Sequence, residues 1–169
     1  MDADTASRLC NACGLCCNGV LFHNVRLQPA EVPQDFIQLG LHIQRKKGHH
    51  LFQQPCPAWC GSQCAIYLSR PERCRLFECR QLQRVAAGEI TEAAALEKIR
   101  DVQARVLRIT TWLAEAGSTS EKRPLSKRVE KILATPAFDP IAMELHQKLT
   151  REMADLDAVL DADFRLPQS

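Results

Sequence analysis

The chain has 169 residues, of which 46% are hydrophobic and 5% aromatic, and its formal net charge is +2. A charge this close to neutral does not favour nucleic acid or an anionic membrane surface as a partner. No apolar run approaches the roughly 20 residues needed to cross a bilayer. The length suits one domain with an appendage.

The first eight residues contain acidic side chains and no apolar core, so they do not form a secretory signal. We therefore expect a cytoplasmic protein, in a reducing compartment where thiols persist. Nine cysteines follow, all between residues 10 and 79. Such a density is typical of disulfides, metal ligands or redox-active thiols. The reducing compartment and the odd number of cysteines favour metal ligands.

The first four cysteines form the motif C-x-x-C-x-x-C-C in a predicted loop over residues 10–19. The two sulfurs of a C-x-x-C step can converge on one ion while the intervening amides hydrogen-bond to them. Gly14 permits the tight turn that such a loop needs. Cys16 and Cys17 are adjacent, and adjacent side chains of extended backbone point to opposite sides. We expect these two sulfurs to serve different metal ions, or different irons of one cluster.

Residues 20–54 contain only short predicted elements. Residues 20–27 predict a short strand, and residues 35–39 predict a short helix. Residues 41–54 are basic and predict a solvated loop or hairpin. That segment also contains His49 and His50, which are alternative metal ligands because imidazole binds zinc and iron.

The remaining cysteines lie in two further stretches. Residues 56–64 contain three cysteines among prolines and a glycine, which predicts an irregular ligand loop. Pro71 can begin a helix that ends at Gly88. Cys74 and Cys79 would lie roughly 140° apart around a straight helix and could not face one ion from it. Either the helix begins later or the two thiols bind different metals.

Arginines accompany these last cysteines. Guanidinium groups near several thiolates offset their negative charge and lower thiol pKa values. The alternative is ordinary surface charge, and we expect one or two of the arginines to compensate the thiolates. The four candidates are Arg70, Arg73, Arg75 and Arg80.

The second half of the chain is helical in pattern. Thr91 can cap a helix that runs to Ala116, a shorter helix covers residues 124–134, and Asp139 followed by proline begins another. The two long helices carry apolar stripes at steps of three and four, which favours an antiparallel helical hairpin. The predicted stripes are Ala95, Ile99, Val102, Val106, Ile109, Leu113 and Ala116 on one helix, and Ile141, Leu145, Leu149, Met153, Leu156 and Leu160 on the other.

These elements predict a mostly α fold with irregular loops, in which a small cysteine-rich metal-binding module precedes an antiparallel helical hairpin. We place the cysteine-cluster module at residues 1–88. Residues 89–169 form the helical appendage, packed on the module or on a partner protein.

The cysteine motifs together resemble the YkgJ-type cysteine-cluster family. C-x-x-C-x-x-C-C is followed by Cys-Pro and then by C-A-I-Y-x-x-R-P-x-x-C-R-x-F-x-C over residues 64–79. The resemblance covers residues 10–79 and implies a zinc- or iron-chelating domain. Cys60 stands where family members usually carry an apolar residue, so the resemblance does not make it a ligand. The metal ligands that the resemblance implies are Cys10, Cys13, Cys16, Cys17, Cys56, Cys64, Cys74 and Cys79.

Eight ligands suit two tetrahedral zinc ions, two four-iron clusters or one thiolate-bridged polynuclear site, whereas a single four-iron cluster uses only four. The first hypothesis is an iron–sulfur protein that acts in electron transfer or in redox-coupled modification of a protein partner. The alternative is a zinc-stabilised interaction module with two or more zinc ions and no catalysis. The chain lacks the usual catalytic sets of side chains, so whether it is an enzyme stays open and depends on the metal.

Overall fold

The computed structural model describes residues 3–61, 63–118 and 122–166, and 55% of it is helical. Within these ranges the chain forms seven α-helices, one 3-10 helix and a three-stranded antiparallel sheet. In chain order the elements are α1 (Ala3–Cys13), β1 (Asn24–Arg26), α2 (Pro33–Gln38), β2 (Ile43–Lys46), β3 (His49–Gln53), a 3-10 helix (Tyr67–Ser69), α3 (Glu72–Leu76), α4 (Arg80–Ala86), α5 (Glu92–Glu115), α6 (Leu125–Leu133) and α7 (Pro140–Asp163).

The long helices α5 and α7 form the predicted antiparallel hairpin. The side chains of Thr91 and Asp139 accept hydrogen bonds from backbone amides three residues later, which caps both N-termini. Lys98 pairs with Asp163, and Arg108 with Glu152, so the start of α5 lies beside the end of α7. Each helix has 24 residues. No helix in the described part of the chain is both long and apolar enough to cross a membrane.

The apolar faces of the hairpin also cover α1, which packs on α5. Leu9 of α1 is only 2% exposed, and Gln103 of α5 donates a hydrogen bond of 2.7 Å to the carbonyl of Ala12 at the end of α1. The start of the chain is therefore fixed to the hairpin by both apolar and polar contacts. We name the buried apolar set the main core: Leu9, Leu15, Val20, Leu21, Leu82, Ala95, Ile99, Val102, Ile109, Leu113, Leu125, Val129, Leu149, Leu156, Leu160 and Phe164.

The predicted stripes are largely correct, and the main error is at the beginning of α7. Ile141 is 80% exposed and does not reach the main core. The reason is its position in the first turn of α7, beyond the length over which this helix lies against its neighbours. Val106 of α5 is only partly buried, whereas Val102 on the same helix is fully buried.

The sheet supports a second group of buried side chains, which we name the small core: Leu27, Phe36, Leu41, Phe52 and Ala58. The strand order is β1-β3-β2, and both pairs are antiparallel. β2 and β3 form the hairpin predicted within residues 41–54, and Lys47 and Gly48 both have positive φ in its turn.

Two predictions for the first half are wrong. Cys10 and Cys13 lie on α1 rather than in a loop, because the apolar face of residues 3–13 is long enough to pack on α5. The predicted helix from Pro71 to Gly88 is interrupted, so α3 and α4 are separate and Cys79 lies between them as the N-cap of α4. The strand expected over residues 20–27 shortens to β1, and the helix expected over 35–39 is present as α2.

Candidate metal centre

A cavity of about 770 Å³ lies where the main core and the small core meet. Eight of the nine cysteines line it, and all nine are free thiols in the structure. The ninth, Cys60, is exposed and donates its thiol hydrogen to the carbonyl of Gln63, 3.0 Å away. The cavity thus gathers the same eight positions that the sequence resemblance indicates: Cys10, Cys13, Cys16, Cys17, Cys56, Cys64, Cys74 and Cys79.

Four of these cysteines, which we name the first thiol set, pack against the main core: Cys10, Cys13, Cys16 and Cys79. Cys10 and Cys13 lie one turn apart on α1 and so share a face. Burial raises the pKa of Cys16 well above its ordinary value, and repulsion from the Cys13 and Cys79 thiolates adds to the effect. The pKa of Cys13 rises to about 12, again mainly through burial.

The other four form the second thiol set: Cys17, Cys56, Cys64 and Cys74. Three of them, all except Cys17, pack against the small core. The amide of Cys56 donates a 2.7 Å hydrogen bond to the carbonyl of Cys17, which brings the two segments together. Burial raises the pKa of Cys17 and of Cys74 to about 12, and repulsion from Cys56 is the next cause in both cases.

The boundary between the first and second thiol sets falls between the adjacent residues Cys16 and Cys17. The thiolates that raise the pKa of Cys16 belong to the first set, with the exception of its neighbour Cys17. Those that raise the pKa of Cys17 are first Cys56, Cys74 and Cys64. Cys10 has a smaller effect on Cys17, which shows that the two sets are neighbours in one cavity. This arrangement agrees with the expectation that adjacent cysteine side chains diverge.

Backbone amides favour the thiolate form at Cys13, Cys56 and Cys79. Amide hydrogen bonds from Gln81 and Leu82, in the first turn of α4, lower the pKa of Cys79 against the larger effect of burial. Those of Ala58 and Trp59 act in the same way on Cys56. The local backbone therefore has donors directed at sulfur, as metal-binding cysteine loops require.

Arg70 is the arginine that compensates charge in the cavity. It lowers the pKa of both Cys10 and Cys74, although burial of each thiol is the larger effect and raises the pKa. Its guanidinium lies 3.6 Å from the centre of the Tyr67 ring, and its Nε donates to the Tyr67 carbonyl. Arg80 instead donates to the carbonyl of Ala162. One arginine thus serves both thiol sets, in agreement with the prediction for one or two of them.

Gly14 and Trp59 make the close contact between the two cysteine segments. Gly14 has φ +66°, and a Cβ built on it would lie 2.4 Å from Cζ2 of Trp59. Only glycine combines this backbone conformation with so close an indole ring. Trp59 lines the cavity, and sequence reasoning did not identify it. The signal available was a tryptophan inside a cysteine loop in a chain with only two tryptophans.

The alternative histidine ligands lie elsewhere. His49 and His50 are exposed on β3 and do not line the cavity. Among residues 3–61, 63–118 and 122–166, no three His, Cys, Asp or Glu side chains form a group that could hold a metal ion. The chemistry of the cavity nevertheless fits a thiophilic metal, because eight partly buried thiols line one space and a cation would offset the thiolates.

Fold and site together define a small helical protein with a thiol-lined cavity between two hydrophobic cores. The family model CxxCxxCC, described as "Putative zinc- or iron-chelating domain", matches residues 9–100. The chain belongs to this family of metal-binding cysteine-cluster domains. No curated protein and no solved structure matches the chain.

Proposed function

We propose that the eight cavity cysteines hold iron–sulfur clusters, or another polynuclear thiolate site, used in electron transfer or in redox-coupled modification of a partner protein. One observation carries the proposal: the eight thiols line one cavity and divide into two sets of four. Four thiolates are the ligand complement of one four-iron cluster.

The size of the cavity supports a polynuclear site. Its volume of about 770 Å³ falls within the range of roughly 300–1,000 Å³ typical of cofactor pockets. Two single ions surrounded by sulfur, at about 2.3 Å from each ligand, need far less space. A larger inorganic group uses the space that the two cores leave between them.

The protein's own residues would perform defined tasks around such a group. An iron–sulfur cluster supplies one-electron redox chemistry when it is bound. The first thiol set packs against the main core, and three of the four cysteines in the second set pack against the small core. Arg70 offsets thiolate charge in both sets, since it lowers the pKa of Cys10 in the first set and of Cys74 in the second. Leu15, Phe52 and other apolar side chains of the lining exclude water.

The edge of the cavity supports contact with a protein partner. Leu76 lines the cavity and is 69% exposed, and Arg73 beside it is exposed as well. An exposed apolar side chain next to a cation is typical of the rim of a protein interface.

We place the protein in the cytoplasm, because its free thiols and metal site suit a reducing compartment.

The test is metal and sulfide analysis of the protein purified without oxygen. We expect a brown protein that contains iron and acid-labile sulfide. Cys16→Ser and Cys17→Ser should each lose metal, because removing one thiolate opens a coordination position. Cys60→Ser is the matched control and should keep the wild-type metal content, because Cys60 lies outside the cavity. Equal loss in all three variants would contradict this ligand set.

The zinc-stabilised interaction module is the second candidate, and one observation favours it. Phe138 and Ile141, at the start of α7, are 90% and 80% exposed. Exposed large apolar side chains of this kind mark protein contacts, and a zinc module acts through such contacts rather than through redox chemistry. Two sets of four thiols also match two tetrahedral zinc sites. A colourless protein with about two zinc ions per chain and no sulfide would favour this candidate.

A further inference from the structure

A second cavity, of about 570 Å³, adjoins the first. Cys56 and Trp59 line both cavities, so the two cavities share the segment that contains these residues. Its remaining walls come from α5, from the start of α6 and from the turn after Cys17. None of the seven other cysteines of the thiol sets lines it. Its chemistry is therefore not that of the metal centre.

The charge of the second cavity is of one sign. Among the described residues that line it, Arg123 and Arg128 are the charged ones, and none is an aspartate or glutamate. In the part of the chain that the structure describes, neither arginine forms an ion pair. Guanidinium groups are always charged, and an unpaired one near a cavity attracts an anion.

Arg128 provides the strongest single observation. Its Nε is fully buried and has no hydrogen-bond partner among the described residues. A buried donor without a partner is costly, by about 1–3 kcal/mol, and more when the group is charged. Buried polar groups in native proteins are therefore almost always satisfied. An oxyanion in the cavity would not reach the buried Nε itself, but it would contact the part of Arg128 that lines the cavity and offset the charge of this guanidinium.

Two neighbouring side chains, those of Asn18 and Ser118, add donors. Asn18 uses its side-chain oxygen to accept from the amide of Val20, which leaves the side-chain NH₂ as its free group. Ser118 adds a hydroxyl group, whereas the hydroxyl of Thr110 already donates to the carbonyl of Leu107 and adds no free donor. No side chain caps the N-terminus of α6, and Leu125, the first residue of that helix, lines the cavity. The positive end of the helix dipole thus favours the same ligand charge.

The rest of the lining is apolar. The side chains of Val20, Pro55, Trp59, Val106 and Leu125 contribute it. A hydrated inorganic ion gains nothing from such walls, whereas the hydrocarbon part of an organic anion loses contact with water there. The lining therefore matches a ligand with an anionic end and an apolar body.

We propose that this second cavity binds a small organic anion, whose carboxylate or phosphate oxygens contact Arg123 and Arg128 and whose apolar part lies against Trp59. The site is separate from the metal centre, and its occupancy does not depend on which metal the eight cysteines hold. Because Cys56 and Trp59 border both cavities, a bound anion contacts the segment that carries one of the metal ligands.

The experiment is isothermal titration calorimetry of the full-length protein, purified without oxygen and with its metal bound. The probes are benzoate, phenyl phosphate and inorganic phosphate, each in a buffer of constant chloride concentration. We expect saturable binding of phenyl phosphate or benzoate and weaker binding of inorganic phosphate. The first two probes distinguish a carboxylate from a phosphate ligand, and the third measures what the apolar part contributes.

Two variants and a matched control locate the binding. Arg128→Gln and Arg123→Gln should each weaken binding about tenfold or more, because each removes a charge-assisted hydrogen bond. Arg75→Gln removes an exposed arginine that lines neither cavity and should leave affinity unchanged. Arg123 is exposed, so its variant tests the proposal even if Arg128→Gln fails to fold. The proposal is overturned if no organic probe binds saturably, or if Arg75→Gln weakens binding as much as Arg123→Gln.

Discussion

The main core and the small core border the same cavity, but they differ in how they are built. The main core has sixteen buried apolar residues, most of them on long helices with regular spacing. The small core has five, held by three short strands, a helix of six residues and a loop. Burial of about 25 cal/mol per Å² of apolar surface stabilises the first far more than the second.

The difference shows where metal matters for folding. The first thiol set packs against a core that can stabilise itself, whereas three cysteines of the second set pack against one too small to do so. Small domains of this size usually need disulfides or metals, and the cysteines here are free thiols. We infer that metal–thiolate bonds stabilise the small core and its sheet.

Metal removal should have the largest effect and fall unequally on the two cores. Chelation should remove stabilisation on the order of 10 kcal/mol, the scale of structural metal sites. Hydrogen exchange should then show loss of protection in β1, β2 and β3 and retained protection in α5 and α7. Equal retention in the sheet and the helices after complete metal removal would contradict this prediction.

A buried charge in the hairpin should break the main core. Val102 is 0% exposed, so Val102→Asp should lower the free energy of unfolding by about 4 kcal/mol. Leu107→Asp lies on the same helix at a position that is 67% exposed and should change it by less than about 0.5 kcal/mol. Thermal or denaturant unfolding of the metal-bound protein measures both. Similar stability of the two variants would mean that α5 does not bury this face.

Gly14→Ala tests the contact between the two cysteine segments. The new Cβ would overlap the Trp59 ring, and alanine would also be strained at φ +66°. Together these effects should cost about 3 kcal/mol. Gly40→Ala is the control: it has φ +87° with nothing within 4 Å of the added Cβ, and should cost about 1 kcal/mol. Equal costs in denaturant unfolding would show that Trp59 moves aside freely.

The pH dependence of metal affinity should separate the two thiol sets. A metal displaces the thiol proton, so affinity should rise about tenfold per pH unit for each protonated ligand, or about 1.4 kcal/mol. In a folded metal-free site the pKa of Cys13, Cys17 and Cys74 is raised from the ordinary 9.0 to about 12. Metal affinity should therefore keep rising with pH above pH 9 and level off only near pH 12.

If the small core unfolds without metal, the thiols of the second set regain ordinary pKa values, and their pH dependence should level off near pH 9. The first set should continue to gain affinity above that pH. Competition with a chelator of known affinity, in Cys13→Ser and Cys74→Ser, distinguishes the sets. The same plateau in both variants would show that the cores respond to metal removal alike.

The hairpin was predictable because helix signals are local. Thr91 and Asp139 are favourable N-caps, and apolar residues recur every three or four positions after each. Ile141 was assigned wrongly because periodicity identifies a helix face but not the length over which a neighbour covers it. The break before Cys79 was also missed, since the chain there has neither proline nor glycine to mark it.

The candidate site was predictable in its residue types and less so in its layout. The resemblance to the cysteine-cluster family indicated the eight thiols, and the adjacency of Cys16 and Cys17 indicated that these two side chains diverge. It could not indicate that four thiols rest on one core and three on another, because this depends on long-range packing. The contact of Trp59 with Gly14 and the second cavity beside Cys56 also depend on long-range packing, so the sequence did not indicate them.

The peptide bond between Cys16 and Cys17 has a consequence for redox chemistry if each thiol set holds one cluster. Consecutive Cα atoms are about 3.8 Å apart, so the two centres would lie on the order of 10 Å from each other. At that separation in a protein interior, an electron on one centre repels a second electron on the other. The two reduction potentials would then differ even for identical clusters, and the pair would accept its electrons one after the other.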